Sequence, residues 1–265
     1  MNERVAVVGS GAIACGLASV AATKLGGAVL VARSDESADR ARAQTAKTIE
    51  RMEGDPAALT ITTDKDALGD RTYIVEAIVE DLEHKSELLQ KINGHIREDN
   101  AVLASTTSSL SVEKLAQASG REKRFAALHV FNPVARMELI ELAYPTTVNG
   151  DTKERTTALC EALGKTGVEV ADEAGFVVNR LLFPYLFDAV TVMEEQGLTA
   201  EAVDTCMKLG AGHPMGPLAL LDFVGLDVSV AIGESIGTKI PQSARDLIAA
   251  GHLGKKTGKG YHEYS

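Results

Sequence analysis

Arg4-Val5-Ala6-Val7-Val8-Gly9-Ser10-Gly11-Ala12-Ile13-Ala14 reads as an apolar strand, a glycine turn and the start of a helix. Each small residue has its own task in a turn that holds a pyrophosphate. Gly9 permits the tight turn, Gly11 lets the backbone approach the phosphates, and a small third residue, Ala14, lets helix and strand pack closely. Free N–H groups at the helix start then meet the phosphate charge. A bare glycine pattern is weak evidence. The strand before it, the helix after it and a second strand ending near Ala32 make it a dinucleotide-binding turn.

Outward from that turn, short apolar runs alternate with amphipathic segments, the pattern of parallel strands joined by crossover helices. The strands are expected at Arg4 to Val8, Ala28 to Ala32, Tyr73 to Ala77, Ala101 to Ser105 and Phe125 to Val130. From Asp81 to Ile96, Leu82, Leu88, Leu89, Ile92 and Ile96 recur at helical spacing, which predicts one crossover helix. After Asp172 the pattern turns helical, with helices expected at Phe176 to Gln196, Ala200 to Leu209, Leu218 to Phe223 and Asp227 to Ile236. The fold class expected is α/β, a Rossmann-type dinucleotide-binding domain over residues 1–173 followed by a smaller all-helical domain over residues 174–265. The stretch from Gly254 to Gly260 reads as an ordered loop or tail.

Composition narrows the partners. The 265 residues are 45% hydrophobic and 24% charged, and no apolar run approaches the roughly 18 residues of a membrane-spanning helix. The chain enters an apolar strand almost at once and shows no secretory signal, so a cytoplasmic protein is expected. A formal net charge of -10 argues against nucleic acid and anionic membranes, while an anionic small molecule, which responds to local donors, stays allowed. Cys15, Cys160 and Cys206 lie far apart with no CxxC pair, so neither a disulfide framework nor a metal site is expected.

The end of the second strand bears on which dinucleotide is bound. In this fold an acidic residue there holds the ribose 2′-hydroxyl of NAD. Here the end reads Val31-Ala32-Arg33-Ser34, which leaves room for a 2′-phosphate and supplies Arg33 and Ser34 as donors. NADP is the cofactor expected, with NAD the alternative if Arg33 is a solvated loop residue and Asp35 approaches the ribose.

Three segments carry the reacting groups: Ala104-Ser105-Thr106-Thr107-Ser108-Ser109-Leu110, Leu128-His129-Val130-Phe131-Asn132-Pro133 and Gly175-Phe176-Val177-Val178-Asn179-Arg180. Together with the glycine turn, Val75 to Glu80, His213-Pro214-Met215-Gly216-Pro217 and Gly254 to Tyr261, they make the chain resemble the 3-hydroxyacyl-CoA dehydrogenases along essentially its whole length. The resemblance is closest to the single-function 3-hydroxybutyryl-CoA members. It implies a catalytic pair at His129 and Glu141, with Ser108 and Asn179 beside the substrate. It further implies Glu80, Lys85, Ser108, Asn132 and Lys256 near the nicotinamide cofactor, an acyl-CoA substrate and a homodimer.

The chemistry of the residues agrees. Oxidising a secondary alcohol beta to a thioester needs a base for the hydroxyl proton while hydride leaves, and imidazole titrates near working pH. A lone histidine in an apolar run is ordinarily structural. What changes the reading is Glu141 in Met137-Glu138-Leu139-Ile140-Glu141-Leu142: if this is a strand, Glu141 shares a face with Met137 and Leu139. A buried carboxylate needs a partner, and His129 is the natural one. By the resemblance, the Ser108 hydroxyl holds the substrate oxygen and the Asn179 amide donates to the polarised carbonyl.

The chain also departs from the family pattern. Ala14 replaces the third glycine, the acidic residue ending the second strand is absent, Thr106 stands where Asn is usual and Glu138 where Lys is usual. It is shorter between Arg42 and Thr60, where the family extends a helical arm towards CoA, and near Thr238 to Ser243. Lys47, Thr48 and Arg51 are the contacts left on that arm. Two other functions therefore stay open: a dehydrogenase of a free or carrier-bound 3-hydroxy acid, and a non-catalytic dinucleotide-binding protein.

Overall fold

A computed structural model describes residues 3–264, and it places the first strand, β1 (Val5–Val8), inside an eight-stranded sheet. The chain runs through α1 (Ala12–Leu25), β2 (Ala28–Val31), α2 (Asp35–Arg51), β3 (Leu59–Thr62) and β4 (Tyr73–Glu76). It continues through α3 (Leu82–Asn93), β5 (Val102–Ser105), α4 (Val112–Ser119), β6 (Phe125–Val130), β7 (Leu139–Ala143), α5 (Gly150–Ala162) and β8 (Thr166–Glu169). The strand order is β3-β2-β1-β4-β5-β6-β7-β8. Every pairing is parallel except β6 with β7.

The strands β1, β2, β4, β5 and β6 are buried at every position, which is why they read as unbroken apolar runs. The strands that escaped the sequence reading are the weakly patterned ones. β3 is half-buried and β8 is mostly exposed, as edge strands are, so neither carries the apolar run that marks a central strand. β7 turns back antiparallel because the connection over 131–138 is shorter than a parallel crossover requires. Met137 belongs to that connection and is exposed, so it does not share a strand face with Glu141.

The sheet order reverses between β1 and β4, the place where open α/β sheets form a ligand crevice at the carboxyl ends of their strands. Gly9 sits there with φ +141, and a Cβ on it would lie 2.2 Å from the Ala77 carbonyl oxygen. The small residues of α1 serve a similar closeness: Ala14, Ala18 and Ala21 are fully buried, and a Cβ on Gly16 would come 2.8 Å from the Val134 side chain. After α2 the chain turns back at Gly54, where a Cβ would meet Thr23 at 2.7 Å and Ile49 at 2.9 Å. A short turn over Pro56–Ala58 then leads into β3.

The chain divides into two compact units between Glu173 and Ala174. The second consists of α6 (Val178–Gln196), α7 (Ala200–Gly210), α8 (Pro217–Val224), α9 (Leu226–Ser235) and α10 (Gln242–Ala249) around Phe183, Leu186, Phe187, Leu218, Leu221 and Leu226. Helix α6 begins two residues later than its apolar pattern suggests, because Phe176 has φ 47 and cannot join a right-handed helix. Its tail is held by two buried carboxylates. Asp222 accepts from the Tyr261 N–H at 2.9 Å, the His262 N–H at 2.8 Å and the Tyr264 hydroxyl at 3.1 Å. Asp204 accepts from the Leu218 N–H at 2.8 Å and from His262 Nε2 at 2.8 Å.

The contact at Gly9 yields a comparison with Gly26, which ends α1 at φ +74 with nothing within 4 Å of an added Cβ. Gly26→Ala should cost about 1 kcal/mol, the penalty of a left-handed conformation alone. Gly9→Ala adds a backbone overlap and should cost on the order of 2–4 kcal/mol. Denaturant unfolding midpoints measure both, and equal losses would contradict the assigned close approach.

Candidate functional site

The glycine turn supplies donors without competition. Gly11 occupies the N-cap of α1, no side chain caps that helix, and its first turn holds no acidic residue. A Cβ on Gly11 would meet nothing within 4 Å, so the space in front of the helix start is open. Ala14 is fully buried, 3.3 Å from where a Gly9 Cβ would stand, which explains why only a small residue fits the third position. Free N–H groups, an uncompensated helix dipole and open space are what a pyrophosphate needs, and the residues present fit it.

At the end of β2, Ala32 is buried and Arg33 is exposed, with no hydrogen bond or ion pair among the described residues. Ser34 is the N-cap of α2: its hydroxyl accepts from the Ser37 N–H at 3.3 Å and donates to the Ser37 hydroxyl at 3.2 Å. It is therefore engaged in local capping. Asp35 accepts from the Thr63 hydroxyl at 3.2 Å, and Glu36 pairs with Arg40 at 2.5 Å.

Beyond β4 and β5 the structure brings Glu80, Lys85 and Ser108 together. One oxygen of Glu80 accepts from the Thr107 hydroxyl at 2.8 Å, the Ser108 N–H and hydroxyl at 2.7 and 3.1 Å, and the Ser109 N–H and hydroxyl at 2.9 and 3.1 Å. Burial pushes the Glu80 carboxyl up, but Lys85 and these donors outweigh it and hold it below the ordinary value. Lys85 is 0% exposed and donates to Glu76 at 2.8 Å. Its ammonium is thus already held by the protein. In this arrangement the Ser108 hydroxyl gives its proton to Glu80.

Neighbouring strands deliver the reacting pair. His129 and Glu141 lie opposite each other in the antiparallel register of β6 and β7, and Nδ1 of His129 stands 2.6 Å from Oε2 of Glu141. They are 6% and 2% exposed. A carboxylate accepts hydrogen bonds and does not donate them, so the hydrogen between the two sits on Nδ1. The Phe131 ring packs on the imidazole with centroids 4.4 Å apart. Asn132 is exposed in the connection that follows, before a cis peptide to Pro133.

Two residues that shape these positions were not visible as functional in the sequence. Lys165 is buried and donates to the carbonyls of Val134 at 2.6 Å and Met137 at 2.7 Å, tying down the connection that carries Asn132. Burial pushes its ammonium below the ordinary lysine value. Between Gly164 and Thr166 it reads as a turn lysine, and only the folded chain shows what it grips. Glu76 is 0% exposed and accepts from Lys85, from the Ser105 hydroxyl at 2.6 Å and from the Ile78 N–H at 2.7 Å. In the sequence it is one more residue at a strand end.

Asn179 and Lys256 belong to the second unit. Asn179 is the second residue of α6 and 7% exposed. Lys256 is exposed and clamped to both oxygens of Asp227, at 2.6 and 2.7 Å.

Comparison with known proteins gives a consistent family. Residues 4–173 match the 3-hydroxyacyl-CoA dehydrogenase NAD binding domain, and residues 175–264 match the 3-hydroxyacyl-CoA dehydrogenase C-terminal domain. The mitochondrial hydroxyacyl-coenzyme A dehydrogenase of Mus musculus is 37% identical over 287 residues, covering 99% of this chain and 91% of that protein. The 3-hydroxybutyryl-CoA dehydrogenase of Mycobacterium tuberculosis is 37% identical, covering 99% of this chain and 98% of its own. Among solved structures, (S)-3-hydroxybutyryl-CoA dehydrogenase PaaH1 from Ralstonia eutropha superimposes with a TM-score of 0.92 at 35% identity over 100% of both chains.

The lowered pKa of Glu80 has a testable sign. A carboxyl whose folded value lies below its unfolded value of 4.5 contributes stability above that pH and loses it as pH falls through the folded value. The unfolding free-energy gap between the parent and Glu80→Gln should therefore narrow on acidification from about pH 6 to about pH 3. Denaturant titrations across that range measure it, and a gap that stays constant would contradict the assignment.

Proposed function

The chain belongs to the 3-hydroxyacyl-CoA dehydrogenase family, and on that premise we propose that it interconverts a short-chain 3-hydroxyacyl-CoA and the 3-oxoacyl-CoA, with His129 as general acid/base. The observation that carries this reading is the buried 2.6 Å contact between His129 Nδ1 and Glu141. It fixes the tautomer, leaves Nε2 as the base for the 3-hydroxyl proton, and sets a negative charge beside the imidazolium formed when that proton arrives. A nicotinamide dinucleotide held at the Gly9–Ala14 turn would supply hydride-transfer chemistry at C3. For Ser108 the reading is the one the resemblance implies, a hydroxyl that holds the substrate oxygen, and the Glu80 oxygen that it otherwise meets has four further donors. For Asn179 the reading is the one the resemblance implies, an amide donor to the polarised carbonyl.

The dinucleotide proposed is NADP(H). Ala32 presents no carboxylate to repel a 2′-phosphate, and Arg33 is exposed with its guanidinium uncommitted among the described residues. Ser34 contributes less than its position suggests, since its hydroxyl is spent on Ser37. The backbone at the start of α2 and Arg33 then carry the recognition.

CoA as the carrier rests on the family, and the short arm after α2 motivates the alternative of a free or carrier-bound 3-hydroxy acid. Turnover of acetoacetyl-CoA and of free acetoacetate, each with NADPH and NADH, separates these readings. Exclusive use of free acetoacetate would overturn the CoA assignment, and no turnover in any combination would favour the non-catalytic reading.

Within that assay, His129→Gln should lower kcat by roughly a hundredfold or more while cofactor titration stays near the parent, the usual contribution of a positioned acid/base. Parent-like turnover would remove His129 from the chemistry. Arg33→Ala should weaken NADPH by about ten- to a hundredfold, the worth of a charge-assisted hydrogen bond, and leave NADH nearly unchanged. Ala32→Asp should move preference towards NADH by placing a charge against the phosphate. Equal or better use of NADH by the unmodified protein would sink the NADP proposal and leave the dehydrogenase reading intact.

A further inference from the structure

We propose that Glu76 is a positioning residue that holds Glu80 and Ser108 in place by taking up the charge of Lys85, an inference that rests on the reading of Ser108 as a substrate-side residue given above. Glu76 ends β4, and its register partner in β5 is Ser105. Its two oxygens receive four hydrogen bonds. Oε1 accepts from the Ile78 N–H at 2.7 Å and from Lys85 Nζ at 2.8 Å. Oε2 accepts from the Ser105 hydroxyl at 2.6 Å and from Lys85 Nζ at 3.1 Å. Glu76 and Lys85 are both 0% exposed.

Stability alone does not account for such a pair. Taking two charges out of water is costly, and apolar residues of the same volume commonly replace a buried ion pair at no loss. What the pair does is divide one cation between two carboxylates. Lys85 Nζ also faces Glu80 Oε2, at 3.7 Å, outside hydrogen-bond distance. Because Glu76 takes the short contacts, Glu80 is left free to accept from Thr107, Ser108 and Ser109. Ser105 extends the same control by accepting from the Thr107 N–H at 3.3 Å while donating to Glu76. The loops after β4 and β5 are thus locked to each other by one buried charge balance.

Removing the Glu76 charge leaves a buried ammonium with one anion in reach. Closing the 3.7 Å gap to Glu80 relieves it, and that movement draws Glu80 off residues 107–109 and frees Ser108. Glu76→Gln keeps volume and an acceptor, so the charge is what it tests. Amide hydrogen exchange of the segment over 106–110 should quicken by about tenfold or more in this variant, with the rest of the chain unchanged. Its kcat/KM for acetoacetyl-CoA should fall by about tenfold or more.

Glu76→Gln/Lys85→Met, which removes both charges, should bring exchange at 106–110 back to within about threefold of the parent. Exchange at 106–110 unchanged by Glu76→Gln, exchange raised equally along the chain, or a double variant as fast as the single would each overturn the proposal. Should the single variant not fold, the double variant's exchange at 106–110 decides alone: parent-like rates support the charge balance and faster rates refute it. A parent protein inert towards acetoacetyl-CoA would refute the CoA-linked reading and leave the exchange result standing, so the two failures are distinguishable.

Discussion

The approach of Gly9 to the Ala77 carbonyl, 2.2 Å from where a Cβ would stand, is the constraint that the first unit is built around. It occurs where β1 and β4 lie side by side, at the reversal of strand order. On one side the chain leaves β1 through the glycine turn into α1, and on the other it leaves β4 towards Glu80 and α3. Any side chain at Gly9 pushes these two departures apart. The open helix start at Gly11 and the carboxylate of Glu80 are therefore positioned by a missing Cβ as much as by any contact that is made.

Buried charge is the second organising theme, and in each instance it converts a costly burial into geometry. Glu141 is set opposite His129 by strand register, so its desolvation is tolerated in exchange for a fixed imidazole. Glu76 and Lys85 link two loops, and Lys165 grips two carbonyls in the connection after β6. In the second unit Asp222 and Asp204 hold the C-terminal tail through backbone N–H groups and His262. An apolar side chain at any of these places could fill the volume. None could define a direction, because dispersion and hydrophobic contact are not directional and hydrogen bonds to a charge are.

The departures from the family pattern gain physical content from the fold. Ala14 in place of glycine is accommodated because its Cβ faces the position that Gly9 leaves empty. Ser34, read in the sequence as a phosphate donor, is the N-cap of α2, with its hydroxyl engaged by Ser37. Between α2 and β3 the chain passes Gly54, packed closely against Thr23 and Ile49.

Sequence alone was enough for the central strands, the glycine turn, the crossover helix α3, the helical character of the second unit and the candidacy of His129. Each of these depends on local pattern: continuous burial writes a continuous apolar run, a helix face writes a 3.6-residue period, and a backbone that needs left-handed or close-packed positions writes glycine. The edge strands β3 and β8 and the direction of β7 were not legible, since half-exposed strands carry weak patterns and strand direction leaves no mark in composition. Glu141 was a candidate for His129 on chemistry, yet only register brought its oxygen to 2.6 Å. The gathering of Glu76, Lys85, Ser105 and Glu80 was beyond any local reading, because their side chains meet across two strands and a helix, and the distances that divide Lys85 between two carboxylates exist only once the sheet has formed.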